Sequence, residues 1–333
     1  MNYKESEDIL NKIKAANKVL INCHHLPDAD SVGSAAAMKR VLEYFYKKEA
    51  KIICPSPIPT NLNFLKEKVE TVDFSKFDYK DYDLFILLDT SSWNRASGSH
   101  DIAKPNIPMI VLDHHHTNQE FGDINLIVTG AAANSEIVYD IFKDWGLDVV
   151  DKKDKMPDIA TPLLTGIIGD TGSFRFPEAN EKTFSVASDL MRVADKNEIV
   201  FNLYQSYQQN HIKVWRSILD NLEVDTEHKF VYSFIEKNIF IDSGRPFNAK
   251  SEMADMIFQS IEDTDFGIVG VEDEDYVSVS FRSRTGFNVA KLAAKLGGGG
   301  HVWASACRIK GLSLAEAKEK VLTTAIELID EEK

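Results

Sequence analysis

Apolar residues follow two rhythms along the first half of the chain. Val19-Leu20-Ile21, Leu84-Phe85-Ile86-Leu87-Leu88 and Met109-Ile110-Val111-Leu112 are short runs, apolar at every position. That is the pattern of strands buried on both faces, as in a parallel sheet with helices on either side. Across 31–48 the spacing changes, and Val32, Ala35, Ala36, Val41, Leu42, Phe45 and Tyr46 recur at near-helical intervals. A second helix is predicted to start near Asn134-Ser135, residues suited to capping, with Ile137, Val138, Ile141, Phe142 and Trp145 on one face. Strand and helix in alternation predict an α/β fold.

The character changes between about 191 and 225. This stretch is helical in pattern and polar on one side, and it reads as a connector, with a third layer of the first domain as the alternative. Beyond it, the runs KFVYSFI, DFGIVGV and YVSVSF read as strands, flanked by helices over 288–296 and 313–330. The organisation expected is a first α/β domain over 1–192, a helical linker over 193–225 and a smaller α/β domain over 226–333. No internal repeat or low-complexity segment interrupts it.

The length of 333 residues fits this division, at about 150 residues per domain. Charge adds a constraint. With 38 Lys and Arg against 52 Asp and Glu, the net charge is −14. Such a chain is a poor binder of long nucleic acid, whose affinity comes from basic residues neutralising phosphates. A phosphate-bearing partner must then be held by a local cluster or by metal ions. Cys23, Cys54 and Cys307 are too few and scattered for a disulfide framework or a zinc ribbon. No apolar run reaches 18 residues and the start, MNYKESEDIL, has no signal-peptide core, so no membrane partner is expected and the compartment expected is the cytoplasm.

The ends of the apolar strands carry the chemistry. The first leads into Cys23-His24-His25-Leu26-Pro27-Asp28-Ala29-Asp30-Ser31, the second into Asp89, the third into Asp113-His114-His115-His116. One Asp after a strand is ordinarily a turn or cap residue. Three strands delivering His or Asp to one edge point instead to a ligand site, since that edge is where ligands of open α/β sheets sit. A fourth acid, Asp170, closes the apolar segment Leu163-Leu164-Thr165-Gly166-Ile167-Ile168-Gly169. Carboxylates and imidazoles without a convincing thiolate suit Mn²⁺ or Mg²⁺ better than a zinc cage. Acids packed so closely would repel one another unless cations lay between them. Two ions sharing a carboxylate, about 3.5–4 Å apart, form the arrangement that activates water against phosphoesters. Cys23 is expected to pack rather than react. His25 and His116 are expected to be spectators, because neighbours in an extended segment point oppositely.

Near the end of the chain, Lys295-Leu296 precedes Gly297-Gly298-Gly299-Gly300-His301. Glycines let backbone N–H groups approach a ligand closely. With Arg282 at a strand end, Gly298 to Gly300 and His301 could hold a terminal phosphate. The plain alternative is a flexible loop after a helix. Trp303 could stack on a base, although a Trp at a strand start is more often core.

Taken together these motifs resemble the DHH phosphoesterase superfamily. His24-x-x-x-Asp28-x-Asp30, Asp89, Asp113-His114-His115 and Gly-Asp170-Thr-Gly are similar to its four motifs, and Arg282-Ser283 with Gly297-Gly-Gly-Gly-His301 to its DHHA1 domain. The resemblance spans roughly 15–310 and is to the small two-domain members, which act as oligoribonucleases and as phosphatases of 3′-phosphoadenosine 5′-phosphate (pAp). It implies a parallel-sheet DHH domain, a smaller α/β DHHA1 domain and a dinuclear Mn²⁺ site, with Mg²⁺ the alternative. His24 and Asp28 would bind one ion, Asp30, His114 and Asp170 the other, with Asp89 bridging. His115 would face the substrate phosphate and Asp113 orient an imidazole. Arg282, Ser283, Gly298, Gly299, Gly300 and His301 would bind a short nucleotide, in a cleft between the domains that hinge motion opens. Two departures bear on substrate preference. Ala133 stands where small members have Ser, with Ser135 nearby, and Ala304-Ser305-Ala306 stands where they have Ala-Ala-Gly.

The function implied is hydrolysis of short oligoribonucleotides to mononucleotides, and of pAp to AMP. A phosphodiesterase of cyclic dinucleotides or their linear products has the same core and is the alternative. An exonuclease of long single strands would add a basic groove and an oligonucleotide-binding barrel, and neither is visible. A pyrophosphatase of the superfamily would lack the glycines. A non-catalytic nucleotide binder is disfavoured by the intact ligand set, because unpaired buried carboxylates are costly to keep. A homodimer is left open.

Overall fold

The all-apolar runs form the centre of a parallel sheet. Its strands are β1 (Lys18–Asn22), β2 (Glu49–Cys54), β3 (Val69–Thr71), β4 (Leu84–Leu88), β5 (Met109–Asp113) and β6 (Ile124–Ile127), in the order β3-β2-β1-β4-β5-β6. The order reverses between β1 and β4, so a crevice opens beyond their C-terminal ends. This computed structural model describes residues 2–151, 156–246 and 249–332. They divide into two compact units, Met1–Ser206 and Tyr207–Lys333.

In the first unit, alternation along the strands feeds two cores. Val19 and Ile21 join Ile86, Ile110 and Leu112 under α1 (Ser6–Ala15), α2 (Ala29–Phe45), α4 (Asn134–Asp144) and α5 (Ala160–Asp170). Leu20, Ile53, Phe85, Leu87 and Val111 face the other way, against the short α3 (Trp93–Ser97) and Phe74. Further along, α6 (Glu181–Leu190) and α7 (Lys196–Tyr204) contribute Leu190, Ile199 and Leu203 to the first core. Helices α2 and α5 pack at very short range. A Cβ on Gly33 would lie 2.3 Å from the carbonyl oxygen of Pro162, so only glycine permits the approach.

The second unit opens with α8 (Gln209–Asp220). Its sheet is mixed: β7 (Glu223–Asp225), β8 (Phe230–Ile235), β9 (Phe266–Glu272), β10 (Tyr276–Ser283), β11 (Gly299–Gly300) and β12 (Ala304–Lys310), in the order β11-β12-β10-β9-β8-β7. Only β8 and β9 run parallel. One face packs Val277, Val279, Phe281, Cys307 and Ile309 against α11 (Val289–Lys295) and α12 (Leu314–Glu332). On the other, α8 and α10 (Ala249–Met256) cover Val231, Ile235, Val269 and Val271, and α9 (Lys237–Asp242) follows β8. The stretch read as a connector over 193–225 is split. Ile199 and Leu203 of α7 are buried in the first unit, and Val214, Trp215 and Ile218 of α8 in the second. Its apolar positions serve two cores, which a single helical periodicity cannot reveal. No helix among the described residues is long and apolar enough to cross a membrane.

Candidate metal centre

Local structure carries each strand-end residue to the crevice. After β1, Cys23 N–H donates to the Ile53 carbonyl (2.9 Å) and His24 N–H to Ser31 Oγ (3.1 Å). Leu26 turns the chain at φ 53°. Asp28 then caps α2, its Oδ1 accepting the N–H groups of Asp30 (3.1 Å) and Ser31 (3.0 Å). Asp89 follows β4 at φ 55°, with its N–H on the Leu112 carbonyl (3.0 Å). A non-glycine residue in that region costs on the order of 1 kcal/mol, and such strain gathers at functional sites. Asp113 ends β5, and Asp170 ends α5.

These side chains meet. His24 Nε2 lies 3.3 Å from Asp28 Oδ2 and 3.4 Å from Asp89 Oδ2. His114 Nε2 lies 3.5 Å from Asp89 Oδ1 and 3.2 Å from Asp170 Oδ2. His115 Nδ1 is 3.7 Å from Asp89 Oδ1. Three groups with closely spaced ligand atoms result: His24, Asp28 and Asp89; Asp30, His114 and Asp170; Asp89, His114 and His115. His25 and His116 belong to none of them. His25 N–H is tied to the Arg95 carbonyl (2.9 Å) and His116 is exposed.

A layer of polar residues, Ser34, Asn118, Asn134 and Ser135, holds this set in place, and the sequence suggested only the last two, as caps. Asp30 lies across the start of α4. Its Oδ2 accepts Asn134 N–H (2.5 Å), and its Oδ1 accepts Ser135 N–H (2.9 Å), Ser135 Oγ–H (2.5 Å) and Ser34 Oγ–H (3.3 Å). The expectation that Asn134 or Ser135 caps α4 with its own side chain does not hold. The cap position is Ala133, and a carboxylate from another helix receives the free amides. Gly166 makes room, since a Cβ there would lie 2.0 Å from Ser135 Oγ and 2.5 Å from Asp30 Oδ1. Asp113 is fully buried, its Oδ1 on His115 Nδ1 (2.7 Å) and its Oδ2 accepting from Asn118 Nδ2 (2.6 Å). Asn118 also donates to the Thr90 carbonyl (3.1 Å). Ser34 is four residues beyond Asp30 on α2, a spacing that could have flagged it. Asn118 gave no comparable signal.

The electrostatics show what the centre needs. Burial disfavours a charged His24, and so does Arg95, but Asp28 and Asp89 outweigh both and push the imidazole up to about 9. Burial and then Asp89 raise Asp30 to about 7. Burial raises Asp170 well above the usual carboxylate range, against the pull of His114. Asp89 is held well below it: burial opposes, but His114 and His24 prevail. Protons would therefore have to balance these acids if nothing else did. The geometry favours cations. Nδ1 of His24 faces the His25 carbonyl (3.0 Å) and Nδ1 of His114 the Ala131 carbonyl (3.2 Å). Those contacts fix the proton on Nδ1 and turn each Nε2 lone pair toward carboxylates. The gaps of 3.2–3.5 Å exceed the about 2.7–2.9 Å of charge-assisted hydrogen bonds, and His114 Nε2 is buried without one. Lone pairs facing carboxylates across such gaps, with no thiolate, fit hard divalent ions.

In the second unit, the residues expected to bind substrate gather where β10, β11 and β12 meet, Arg282 opposite Ala304 and Gly300 opposite Ser305. Arg282 is clamped by Asp255, its Nε to Oδ1 and its Nη2 to Oδ2 (3.2 Å). Ser283 is buried on the opposite face of β10, where its hydroxyl accepts Gly286 N–H (3.0 Å) and secures a turn. The glycines are not a free loop. Gly299 and Gly300 pair with Ala306 and Ser305, and a Cβ on Gly298 would strike the Ala306 carbonyl at 2.1 Å. The N–H groups of Gly298 and His301 are taken by the Ala293 (2.8 Å) and Ala304 (2.7 Å) carbonyls. Gly299 remains open, with nothing near a Cβ, and His301 is exposed.

Comparisons with known proteins supply a family. Residues 18–167 match the family model described as the DHH family, N-terminal domain, and 227–331 that of the DHHA1 domain. The chain is 28% identical to the bifunctional oligoribonuclease and PAP phosphatase NrnA of Thermus thermophilus, over 91% of this chain and 88% of that one. It is 26% identical to the cyclic-di-AMP phosphodiesterase GdpP of Bacillus subtilis, over 93% of this chain but 47% of the relative. Among solved structures, an exopolyphosphatase-related protein from Bacteroides fragilis shares the fold, with a TM-score of 0.85 at 21% identity over 98% of this chain and 96% of that one.

Proposed function

The chain belongs to the DHH phosphoesterase superfamily, a family of metal-dependent phosphoester hydrolases, and we propose that it cleaves short oligoribonucleotides to mononucleotides and pAp to AMP with two Mn²⁺ ions. The observation that carries this reading is the overlap of three ligand groups through Asp89 and His114. His24 and Asp28 would hold one ion, Asp30, His114 and Asp170 the other, with Asp89 shared. Bound ions supply the positive charge that lowers the pKa of water and offsets charge building on the phosphoryl oxygens. His115 keeps its Nδ1 proton on buried Asp113. Its Nε2 is thereby placed to hydrogen-bond the phosphoryl or leaving oxygen. Asn118 holds Asp113 in that pose. Arg282, open Gly299 and exposed His301 would serve nucleotide binding, with Ser283 and Gly298 shaping the backbone beside them.

Substrate class rests on the likeness to the Thermus protein, which extends over nearly the full length of both chains. Cleavage of a cyclic dinucleotide is the second reading, favoured by the match of both units to part of the cyclic-di-AMP phosphodiesterase. The test is a rate comparison under Mn²⁺ across pAp, 5′-labelled di- and trinucleotides, a long single strand and cyclic-di-AMP. Fastest release of mononucleotide from the short oligomers or pAp is expected. A leading rate on cyclic-di-AMP would select the second reading, and no hydrolysis of any of them would overturn both.

A further inference from the structure

Lys250 of α10 lies outside every motif named above. Its Nζ donates to Ser278 Oγ of β10 at 2.6 Å, and no carboxylate pairs with it among the described residues. Ser278 and Arg282 are alternate residues on one face of β10. Arg282 has its charge met by Asp255. Lys250 does not, although burial and then Arg282 push its ammonium down to about 7. A half-buried ammonium beside a second cation gives up its proton easily and regains it when an anion lies alongside. The corner borders exposed residues. Across from Ser278 and Ser280 stand Arg308 and Ala306 of β12, both exposed, while α10 covers the β9 side. Arg308 is itself laid over the Tyr276 ring, 5.2 Å from its centre.

We propose that Lys250, Ser278 and Arg282 form a binding corner for the terminal phosphate monoester of a nucleotide, with Lys250 the residue that selects for that phosphate. The ammonium supplies charge that Arg282 cannot supply alone, the Ser278 hydroxyl orients the ammonium, and Asp255 keeps the guanidinium from swinging away. This deepens the preceding reading and rests on it for the nucleotide, though not for the corner's affinity for phosphate.

The experiment separates the two. The full chain is stripped with EDTA, so that the acidic centre repels phosphate, and AMP and adenosine are titrated calorimetrically. The wild type is expected to bind AMP about 10-fold or more tightly over adenosine, the value of one charge-assisted contact. Lys250→Met should bring that ratio near one, and Lys250→Arg should restore most of it. Under Mn²⁺, kcat/KM for a 5′-phosphorylated dinucleotide relative to its dephosphorylated form should fall in parallel. Cooperative urea unfolding of Lys250→Met shows that the variant is folded. An AMP preference missing in the wild type, or kept in full by Lys250→Met, overturns the proposal. A Lys250-dependent preference in a chain that hydrolyses nothing would refute the proposed function and leave the corner standing.

Discussion

One methyl group at Gly166 tests whether α5 positions the metal centre. In Gly166→Ala the new Cβ would lie 2.0 Å from Ser135 Oγ and 2.5 Å from Asp30 Oδ1. Ordinary contact begins near 3.4 Å, so something must give by more than about 1 Å. Retreat of α5 would open its close packing on α2, where Gly33 lies against the Pro162 carbonyl and Gly169 faces Ala29. Ser135 can rotate, but its hydroxyl then leaves Asp30 (2.5 Å) and Ser34 (3.0 Å), removing the shortest of three hydrogen bonds to a buried carboxylate oxygen. Losing a hydrogen bond to a buried charge costs about 1.5–3 kcal/mol, and overpacking costs about 1–3 kcal/mol. A loss of roughly 3 kcal/mol in urea unfolding is therefore expected. A ligand displaced by about 1 Å can cost about 100-fold in turnover. Mn²⁺ affinity by calorimetry should fall together with kcat. Gly130→Ala is the control, since a Cβ there meets nothing within 4 Å. If Gly166→Ala matches that control in stability, Mn²⁺ affinity and kcat, α5 does not set the position of Asp30 and the packing argument is wrong.

Asp89→Asn keeps a side chain that tolerates positive φ but removes the charge shared by two ligand groups; Mn²⁺-dependent turnover should drop by about 1,000-fold with circular dichroism unchanged. Asn118→Ala frees Asp113 and should lower kcat about 10- to 100-fold with KM little changed, and Asn118→Asp should not rescue it, since a carboxylate cannot donate to Asp113. Removing metal with EDTA should lower the melting temperature, and Mn²⁺ at about 100 times its Kd should restore about 2.7 kcal/mol; no shift would mean that the acids do not bind ions. Lys250→Met should be more stable than the wild type at pH 7, on the order of 3 kcal/mol by urea unfolding. Folding depresses this ammonium to about 7, so between there and 10.5 the unfolded chain holds a proton that the folded one does not. The variant's advantage should shrink toward pH 10, and an advantage that grows with pH would contradict the assignment.

What the sequence made legible followed physical visibility. Strands β1, β4 and β5 stood out because central parallel strands are apolar at every position, and their trailing acids and histidines marked the crevice. β3 and β6 are edge strands of three and four residues with partly exposed positions, too short and too polar to announce themselves. Helix α2 begins at Ala29 rather than near 31 because Asp28, read only as a candidate ligand, is also its cap. The roles of Asn118, Ser34 and Lys250 depend on partners far along the chain or across a sheet, and no local spacing encodes them. Arg282 illustrates the converse. Its motif was visible, but not the Asp255 on α10 that neutralises it.

The four carboxylates of the centre are not equivalent, and the difference bears on how ions enter. Asp28 gives Oδ1 to the first amides of α2 and turns Oδ2 to His24. Asp30 is held by α4 amides and two hydroxyls. Both are therefore held by amides at helix N-termini, which favour their charge. Asp89 is different: Oδ2 faces His24, and Oδ1 faces His114 and His115. With both oxygens directed at imidazoles, it is the carboxylate we propose is shared, and its left-handed backbone is the cost of that position. A centre arranged this way is preorganised at its rim and strained at its middle. Ion binding should then rigidify Asp89 and the β4 turn far more than the starts of α2 or α4, and amide hydrogen exchange with and without Mn²⁺ can measure that contrast. Equal protection gained at all three places would mean that the helix caps are made by the metal rather than waiting for it.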